Sequence, residues 1–317
     1  MHMTTCTWAT EADKNDLIDF IDYVFSKAAR PHDFATLLPK LYGEHGDAAP
    51  RHAVVREDGR IVATLVAYPV MMRVAGEDVL TLGIGSVSVH PRSRGKSYMQ
   101  LMLNAVDQRA AELGAVMAVL GGRRQRYAYY GYEKAGLEMV GHLDRANVRH
   151  AFRDVDIGAY ALVPMTEAHV PAAKALHSMQ PCYCHRSEEK FIDILRTWTA
   201  APYAIMKDGV LAGYCTICGQ DVSELLLADE CEAPAALKLL SERFGSLTLH
   251  AACWEKQRAA LITDVCETFH ICPENQYKVY QPEKVKALFG RLGNGSEFTW
   301  AGFTPPLPLY VPGPDRV

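Results

Sequence analysis

Six residues, Arg92-Ser93-Arg94-Gly95-Lys96-Ser97, join a strand end, Val87-Ser88-Val89-His90-Pro91, to a stretch in which Tyr98, Leu101, Met102, Ala105 and Val106 share one helical face. An apolar strand, a glycine-bearing turn and a helix start, in that order, commit this part of the chain to an α/β architecture. The same junction specifies chemistry. The first turn of a helix has N–H groups without intrahelical acceptors, and the helix dipole adds partial positive charge, so anions are held there. Side-chain charge agrees. Residues 92–126 carry seven Lys and Arg against Asp107 and Glu112, a net +5, whereas the whole chain has a net charge of −4. The remainder is therefore −9. A basic island in an acidic protein points to one small anionic ligand rather than to a nucleic acid, whose binding rests on an excess of Lys and Arg.

The elements around the junction follow from periodicity and turn chemistry. Leu17, Ile18, Ile21, Val24 and Phe25 predict a helix over 14–29. Strands are expected at Ala53–Val55, Ile61–Val70 and Val79–Val89, the first two joined by the turn Glu57-Asp58-Gly59-Arg60 with its hairpin dipeptide Asp58-Gly59, then a helix over Tyr98–Leu113 and a buried strand over Ala115–Leu120. A similar plan recurs. It has a helix at Glu188–Leu195, strands at Tyr203–Met206, Val210–Cys218 and Ser223–Leu227, a helix at Ala233–Phe244 and a strand at Ser246–Ala251. The second copy lacks the glycine- and arginine-rich turn. The expected fold class is α/β with mixed α+β sheets, built twice. At roughly 150 residues per domain, 317 residues suit two units. They are expected at 1–145 and 155–275, divided by the polar stretch Arg145–Asp156, with 276–317 as a Gly- and Pro-rich extension.

Composition removes whole classes. With 49% hydrophobic and 22% charged residues, the chain is neither disordered nor fibrous. The longest run without Asp, Glu, Lys or Arg, Phe298–Pro314, contains five prolines and cannot be a membrane helix. Met1–Lys14 has no apolar signal core, and nine cysteines, an odd number, form no small disulfide framework. A cytoplasmic protein is expected, with no membrane or nucleic-acid partner. Whether it forms a homo-oligomer is left open.

Gly95-Lys96-Ser97 has the ending of a nucleotide-binding P-loop. That motif needs a glycine five residues before Gly95, where this chain has His90. The pattern Arg-x-x-Gly-x-small, Arg92, Gly95 and Ser97 directly after a strand, instead resembles motif A of the GCN5-related N-acetyltransferases (the GNAT family). The family usually has Gly or Ala where this chain has Ser97. The resemblance implies that Arg92, Ser93, Arg94, Gly95, Lys96 and Ser97 bind the pyrophosphate of acetyl-CoA. It also implies that the strand Val87, Ser88 and Val89 pairs with the pantetheine arm. No metal is expected.

Further on, Tyr127-Ala-Tyr-Tyr130-Gly131-Tyr132 is similar to the Tyr-x-x-(Phe/Tyr)-Gly-Tyr stretch of the Eis-type (enhanced intracellular survival) acetyltransferases, which join an active GNAT unit to a degenerate one. That likeness implies tandem GNAT-like units over roughly residues 1–270, with Tyr127 as general acid. A phenol with a pKa near 10 is protonated at neutral pH and can give its proton to a departing thiolate. No Cys–His or Ser–His nucleophile is recognisable, and direct transfer requires none. Eis-type proteins usually add a sterol-carrier-like domain. Tyr277–Phe289 resembles its opening, but too little chain follows to build it. In those enzymes the terminal carboxylate is the base, which here would be that of Val317. The expected function is acetyl-CoA-dependent acetylation of a small-molecule primary amine, aminoglycoside- or polyamine-like. The competing reading is a non-catalytic acyl-CoA-binding or regulatory module.

Cys215-Thr216-Ile217-Cys218 has the spacing of a zinc half-site. In a strand, however, an odd separation puts the two sulfurs on opposite faces, so structural cysteines are expected.

Overall fold

Leu17, Ile21 and Val24 are buried along one side of helix α1 (Lys14–Ala28), at the helical spacing read from the sequence. The computed structural model describes residues 5–28, 30–252, 254–273, 275–292 and 313–316. Among these, no helix is long and apolar enough to cross a membrane. The chain divides into two compact units. Among the described residues the first holds those up to Lys134, then Asn275–Leu288 and Arg316. The second holds those from Ala135 to 273, with 289–292 and 313–315.

The first unit begins with strand β1 (Cys6–Trp8) and α1, followed by the short helices α2 (Phe34–Leu37) and α3 (Pro39–Tyr42). A meander follows of β2 (His52–Glu57), β3 (Arg60–Val74) and β4 (Glu77–Val89). Then come α4 (Tyr98–Leu113), β5 (Met117–Leu120), α5 (Arg124–Tyr127) and β6 (Glu133–Ala135). Asp58 and Gly59 take positive φ in the predicted β2–β3 turn. The meander is antiparallel, and β5 adds parallel to β4. Helix α4 has the predicted bounds. It buries Tyr98, Met102, Leu103, Val106 and Ala110 against the sheet, and each large side chain so buried contributes roughly 1.5–3 kcal/mol.

The second unit repeats the plan. Its elements are β7 (Glu138–Leu143), α6 (Arg145–Ala151), β8 (Tyr160–Pro164), α7 (Val170–His177), β9 (Cys182–Cys184) and α8 (Glu188–Leu195). After these come β10 (Ala201–Lys207), β11 (Val210–Cys218), β12 (Asp221–Leu227), α9 (Ala233–Phe244), β13 (Leu247–Ala252), α10 (Lys256–Val265) and β14 (Thr268–Cys272). Its sheet runs β14-β7-β13-β12-β11-β10-β8. The meander β10-β11-β12 followed by α9 and a parallel β13 matches β2-β3-β4-α4-β5, so the two α/β units are tandem versions of one design.

Two segments differ from the sequence reading. The polar stretch Arg145–Asp156 begins as helix α6, whose first turn is capped by Asp144 accepting from the Ala146 N–H at 2.6 Å, and which buries Val148. Seven residues give too little periodicity to read. Beyond residue 275 the chain forms β15 (Asn275–Val279), antiparallel to β5 from Gln276↔Leu120 to Val279↔Met117, then α11 (Pro282–Leu292). The first sheet thus runs β1-β2-β3-β4-β5-β15-β6. A strand that returns to its sheet after more than 150 residues leaves no local mark. Cys215 is buried and Cys218 exposed on β11, and no cluster of metal-binding side chains occurs among the described residues.

The second unit contains buried charge. Arg186 is fully buried and forked between two carboxylates, with Nε and Nη2 donating to Asp315 at 3.0 and 2.6 Å and Nη1 and Nη2 donating to Glu224 at 2.8 and 2.7 Å. Burial alone would raise the pKa of Glu224, but the guanidinium prevails and holds it at about 2. His250 sits between Asp221, 2.6 Å from Nε2, and Glu138, 3.1 Å from Nδ1. Burial opposes its charge, yet the two carboxylates outweigh burial and lift the imidazole to about 9 from 6.5. A group whose folded pKa is raised stabilises fully below its unfolded pKa and loses that contribution as pH rises through the folded value. The denaturant midpoint of unfolding is therefore expected to fall between pH 6.5 and pH 9.5, by a few kcal/mol in stability. His250→Gln should flatten that dependence, and a midpoint independent of pH in the native protein would contradict it.

Candidate active site

The backbone of β4 makes the opening. Thr81 to Ile84 pair with Met117 to Leu120 of β5, and beyond Ile84 strand β4 continues without a β5 partner. On its other side it remains paired with β3, Thr64 facing Ser88 and Ala63 facing Val89. The edge of Gly85–Val89 turned toward β5 therefore offers unpaired backbone donors and acceptors, which an extended ligand carrying amide groups can satisfy. Val87 and Val89 are half-buried and Ser88 is buried. Ser88 Oγ donates to the Ser86 carbonyl at 3.0 Å.

The basic turn follows directly. Pro91–Ser93 forms a single 3-10 turn, with His90 Nδ1 accepting from the Arg92 N–H at 3.2 Å. Gly95 and Ser97 then take left-handed backbone, φ +80° and +59°. The N–H groups of Gly95, Lys96 and Ser97 have no backbone acceptor among the described residues. An open hollow of about 420 Å³ lies over the start of α4, lined by Lys96, Ser97, Tyr98, Gln100, Leu101 and Asn104.

Glu57, which the sequence reading passed over as part of a hairpin turn, staples this junction. It accepts from Lys96 Nζ at 2.7 Å, from the Tyr98 hydroxyl, and from Ser93 Oγ at 3.4 Å. The Lys96 ammonium is the chief reason that the Glu57 pKa is lowered. Ser93 and Lys96 thus act on the turn's shape. Arg92 and Arg94 are exposed and make no ion pair among the described residues, so their charge is left for a ligand.

Tyr127 ends α5, on the chain leaving β5. Gly122 lets it approach: with φ +121°, a Cβ at that position would lie 3.1 Å from Tyr127 Cε2. The Gly122 carbonyl accepts from Gln276 Nε2 at 2.8 Å, so the returning strand β15 fixes this turn. Tyr132, fully buried, meets the Tyr127 ring edge-on at 6.4 Å. Tyr127 is 8% exposed, and its hydroxyl has no hydrogen-bond partner among the described residues. Burial raises its pKa, against a smaller opposing effect of Arg126. The phenol is therefore protonated, and its proton is uncommitted.

Val317 lies outside the described residues, as does the uncharged run as far as Pro312. Arg316 is described, and its carbonyl accepts from the buried Lys40 ammonium. Glu57, Gln276 and Lys40 were not found by sequence reasoning. Each is a lone polar residue whose partner lies on a distant segment: Glu57 and Gln276 hold the two turns, and Lys40 holds the Arg316 carbonyl.

Residues 7–136 match the family model described as an acetyltransferase (GNAT) domain. Solved structures show the same fold over most of the chain. A probable N-acyltransferase from Enterococcus faecalis superposes with a TM-score of 0.69 at 12% identity, over 91% of this chain and 75% of that one. Eis1 from Mycobacterium abscessus gives 0.63 at 13%, over 90% and 76%. N-myristoyltransferase from Saccharomyces cerevisiae, solved with bound myristoyl-CoA, gives 0.52 at 11%, over 88% and 80%. No curated protein matches the chain in sequence.

Ser97 has a side chain at a left-handed position and makes no capping hydrogen bond. Ser97→Gly is expected to stabilise the protein by about 1 kcal/mol by removing that strain, read as a higher urea midpoint. A lowered midpoint would mean that the hydroxyl holds the turn.

Proposed function

We propose, from the match of residues 7–136 to the GNAT acetyltransferase model and the likeness of the fold to Eis1, that the protein transfers acetyl from acetyl-CoA directly to a primary amine. The observation that carries this reading is Tyr127. Its protonated hydroxyl has no hydrogen-bond partner among the described residues, and its ring packs over Gly122, just past the end of β5.

Arg92 and Arg94, with the free N–H groups of Gly95, Lys96 and Ser97, would hold the pyrophosphate, and the open edge of Val87–Val89 the pantetheine amides. The amine nitrogen attacks the thioester carbonyl, and the C–S bond breaks as Tyr127 gives its proton to sulfur. The proton lost by nitrogen goes to a carboxylate, which we assign to Val317. Two observations support that assignment. Lys40 holds the Arg316 carbonyl in the first unit, and in the second the Arg186 fork grips Asp315. A terminus secured by buried cations is not a frayed end. The acceptor is an aminoglycoside- or polyamine-like cation, a class drawn to a protein whose charge outside the basic island is −9.

Thiol release with spermidine and kanamycin as acceptors tests the activity. Tyr127→Phe is expected to lower kcat by about 10²- to 10⁴-fold while leaving acetyl-CoA affinity unchanged. A wild type that binds acetyl-CoA but acetylates neither those amines nor a broad amine panel would instead be a binding module. Appending two glycines after Val317 keeps Asp315 anchored but displaces the carboxylate, and at least a tenfold loss of kcat is expected. Unchanged turnover excludes the terminal carboxylate as base.

A further inference from the structure

The β4 strand contains a bulge. Its register with β3 passes from Thr64↔Ser88 to Val66↔Gly85, so Ser86 and Val87 together face Leu65, and Ser86 takes φ +51°. A non-glycine residue at that φ is strained and persists only where its surroundings hold it. Here they do so through a chain of buried polar groups. Ser86 Oγ lies 2.7 Å from the Tyr42 hydroxyl, which lies 3.1 Å from His52 Nε2. His52 Nδ1 lies 2.8 Å from Thr64 Oγ1, and Thr64 donates to the Ala53 carbonyl at 3.1 Å. Tyr42, His52 and Thr64 are all buried.

One carbonyl sets the direction of every bond. A carbonyl only accepts, so the Thr64 hydroxyl proton goes to Ala53. Thr64 then accepts from His52 Nδ1–H. His52 is neutral, its pKa depressed by burial to about 3, so Nε2 has a lone pair and accepts from Tyr42. The Tyr42 proton being used, Tyr42 accepts from Ser86. The Ser86 proton is therefore committed inward, and its oxygen presents lone pairs only. It has no further partner among the described residues, and it lies two residues beyond the last β4–β5 pair.

We infer that Ser86 Oγ accepts a hydrogen bond from the N–H of the incoming amine, held in that role by Tyr42 and His52. The inference rests on the acetyl-transfer reading above. A nucleophilic primary amine directs its lone pair at the carbonyl carbon and has two N–H bonds to place. An acceptor that cannot rotate to donate orients one of them and rejects groups that offer only lone pairs. The chain does not carry the amine's proton away, because it ends on a carbonyl and its buried imidazole does not take up a second proton at neutral pH. Tyr42 and His52 are positioning residues.

Steady-state kinetics with spermidine and kanamycin decide the matter. Ser86→Ala should raise the KM for the amine about 3- to 10-fold and leave the KM for acetyl-CoA unchanged. Tyr42→Phe frees the serine to rotate and should raise the amine KM in the same way. The double variant should be no worse than Ser86→Ala alone. An unchanged amine KM in Ser86→Ala, or an equal rise in both KM values, overturns the inference while wild-type turnover upholds the parent reading. If the wild type turns over neither probe nor any amine of the panel, the parent reading fails and this inference with it.

Discussion

Everything in the first unit depends on the parting of β4 from β5. Two parallel strands normally satisfy each other's backbone groups, and an exposed edge leaves those groups to water or to a ligand. Here the pairing ends at Ile84↔Leu120, while β3 holds β4 from the other side and β15 takes the far edge of β5. The two strands are thus kept apart by partners of their own. The bulge at Ser86 falls just where β4 becomes free, and a bulge bends its strand and increases local twist. The buried hydroxyl–imidazole chain behind Ser86 supplies the interactions that hold a strained residue in place.

The electrostatics of the turn are more selective than its composition suggests. Of the seven basic residues in 92–126, Lys96 is engaged by Glu57, Arg124 by Glu133 at 2.8 Å, and Arg109 by Glu112 while lying over the Trp8 ring. Arg92, Arg94, Arg123 and Arg126 make no ion pair among the described residues. Net charge in a segment therefore overstates what a ligand meets. The engaged cations fix geometry, and the unengaged ones supply attraction.

What could be read from the chain alone was what is local. Helices α4, α8 and α9 and strand β11 have the predicted bounds, because each combines a clear apolar period with a recognisable turn or cap. The basic turn was legible because Gly95 and the arginines are contiguous. Glu57 was not, since its three partners lie 36 to 41 residues away and a carboxylate before Asp-Gly reads simply as a turn. Nor was Gln276, whose partner Gly122 is 154 residues distant. His52 and Tyr42 illustrate the same limit. A lone histidine and a lone tyrosine have no meaning in sequence until β2, β3 and α3 bring them to one buried chain.

The second unit shows the same backbone plan with a different set of charges around the opening. Strands β12 and β13 pair at only Asp221↔Thr248 and Val222↔Leu249 before they separate, so the backbone plan of the first unit is preserved. The residues that follow reverse its character. Between β12 and α9 the turn reads Asp229-Glu230-Cys231-Glu232, acidic where the first unit has Arg92–Ser97, and a pyrophosphate would be repelled there. The protein itself occupies the polar groups nearby. His250 is taken by Asp221 and Glu138, Arg258 by Glu230 and the Leu225 carbonyl, and Arg186 by Glu224 and Asp315. Removing a partner from the fully buried Arg186 pairs costs about 3–5 kcal/mol, so that charge is bound to structure. The first unit leaves two arginines beside its open strand edge without ion pairs among the described residues, whereas in the second Arg186, His250 and Arg258 are all paired internally. That difference, more than any difference in fold, is why we propose the first unit as the place of acyl transfer.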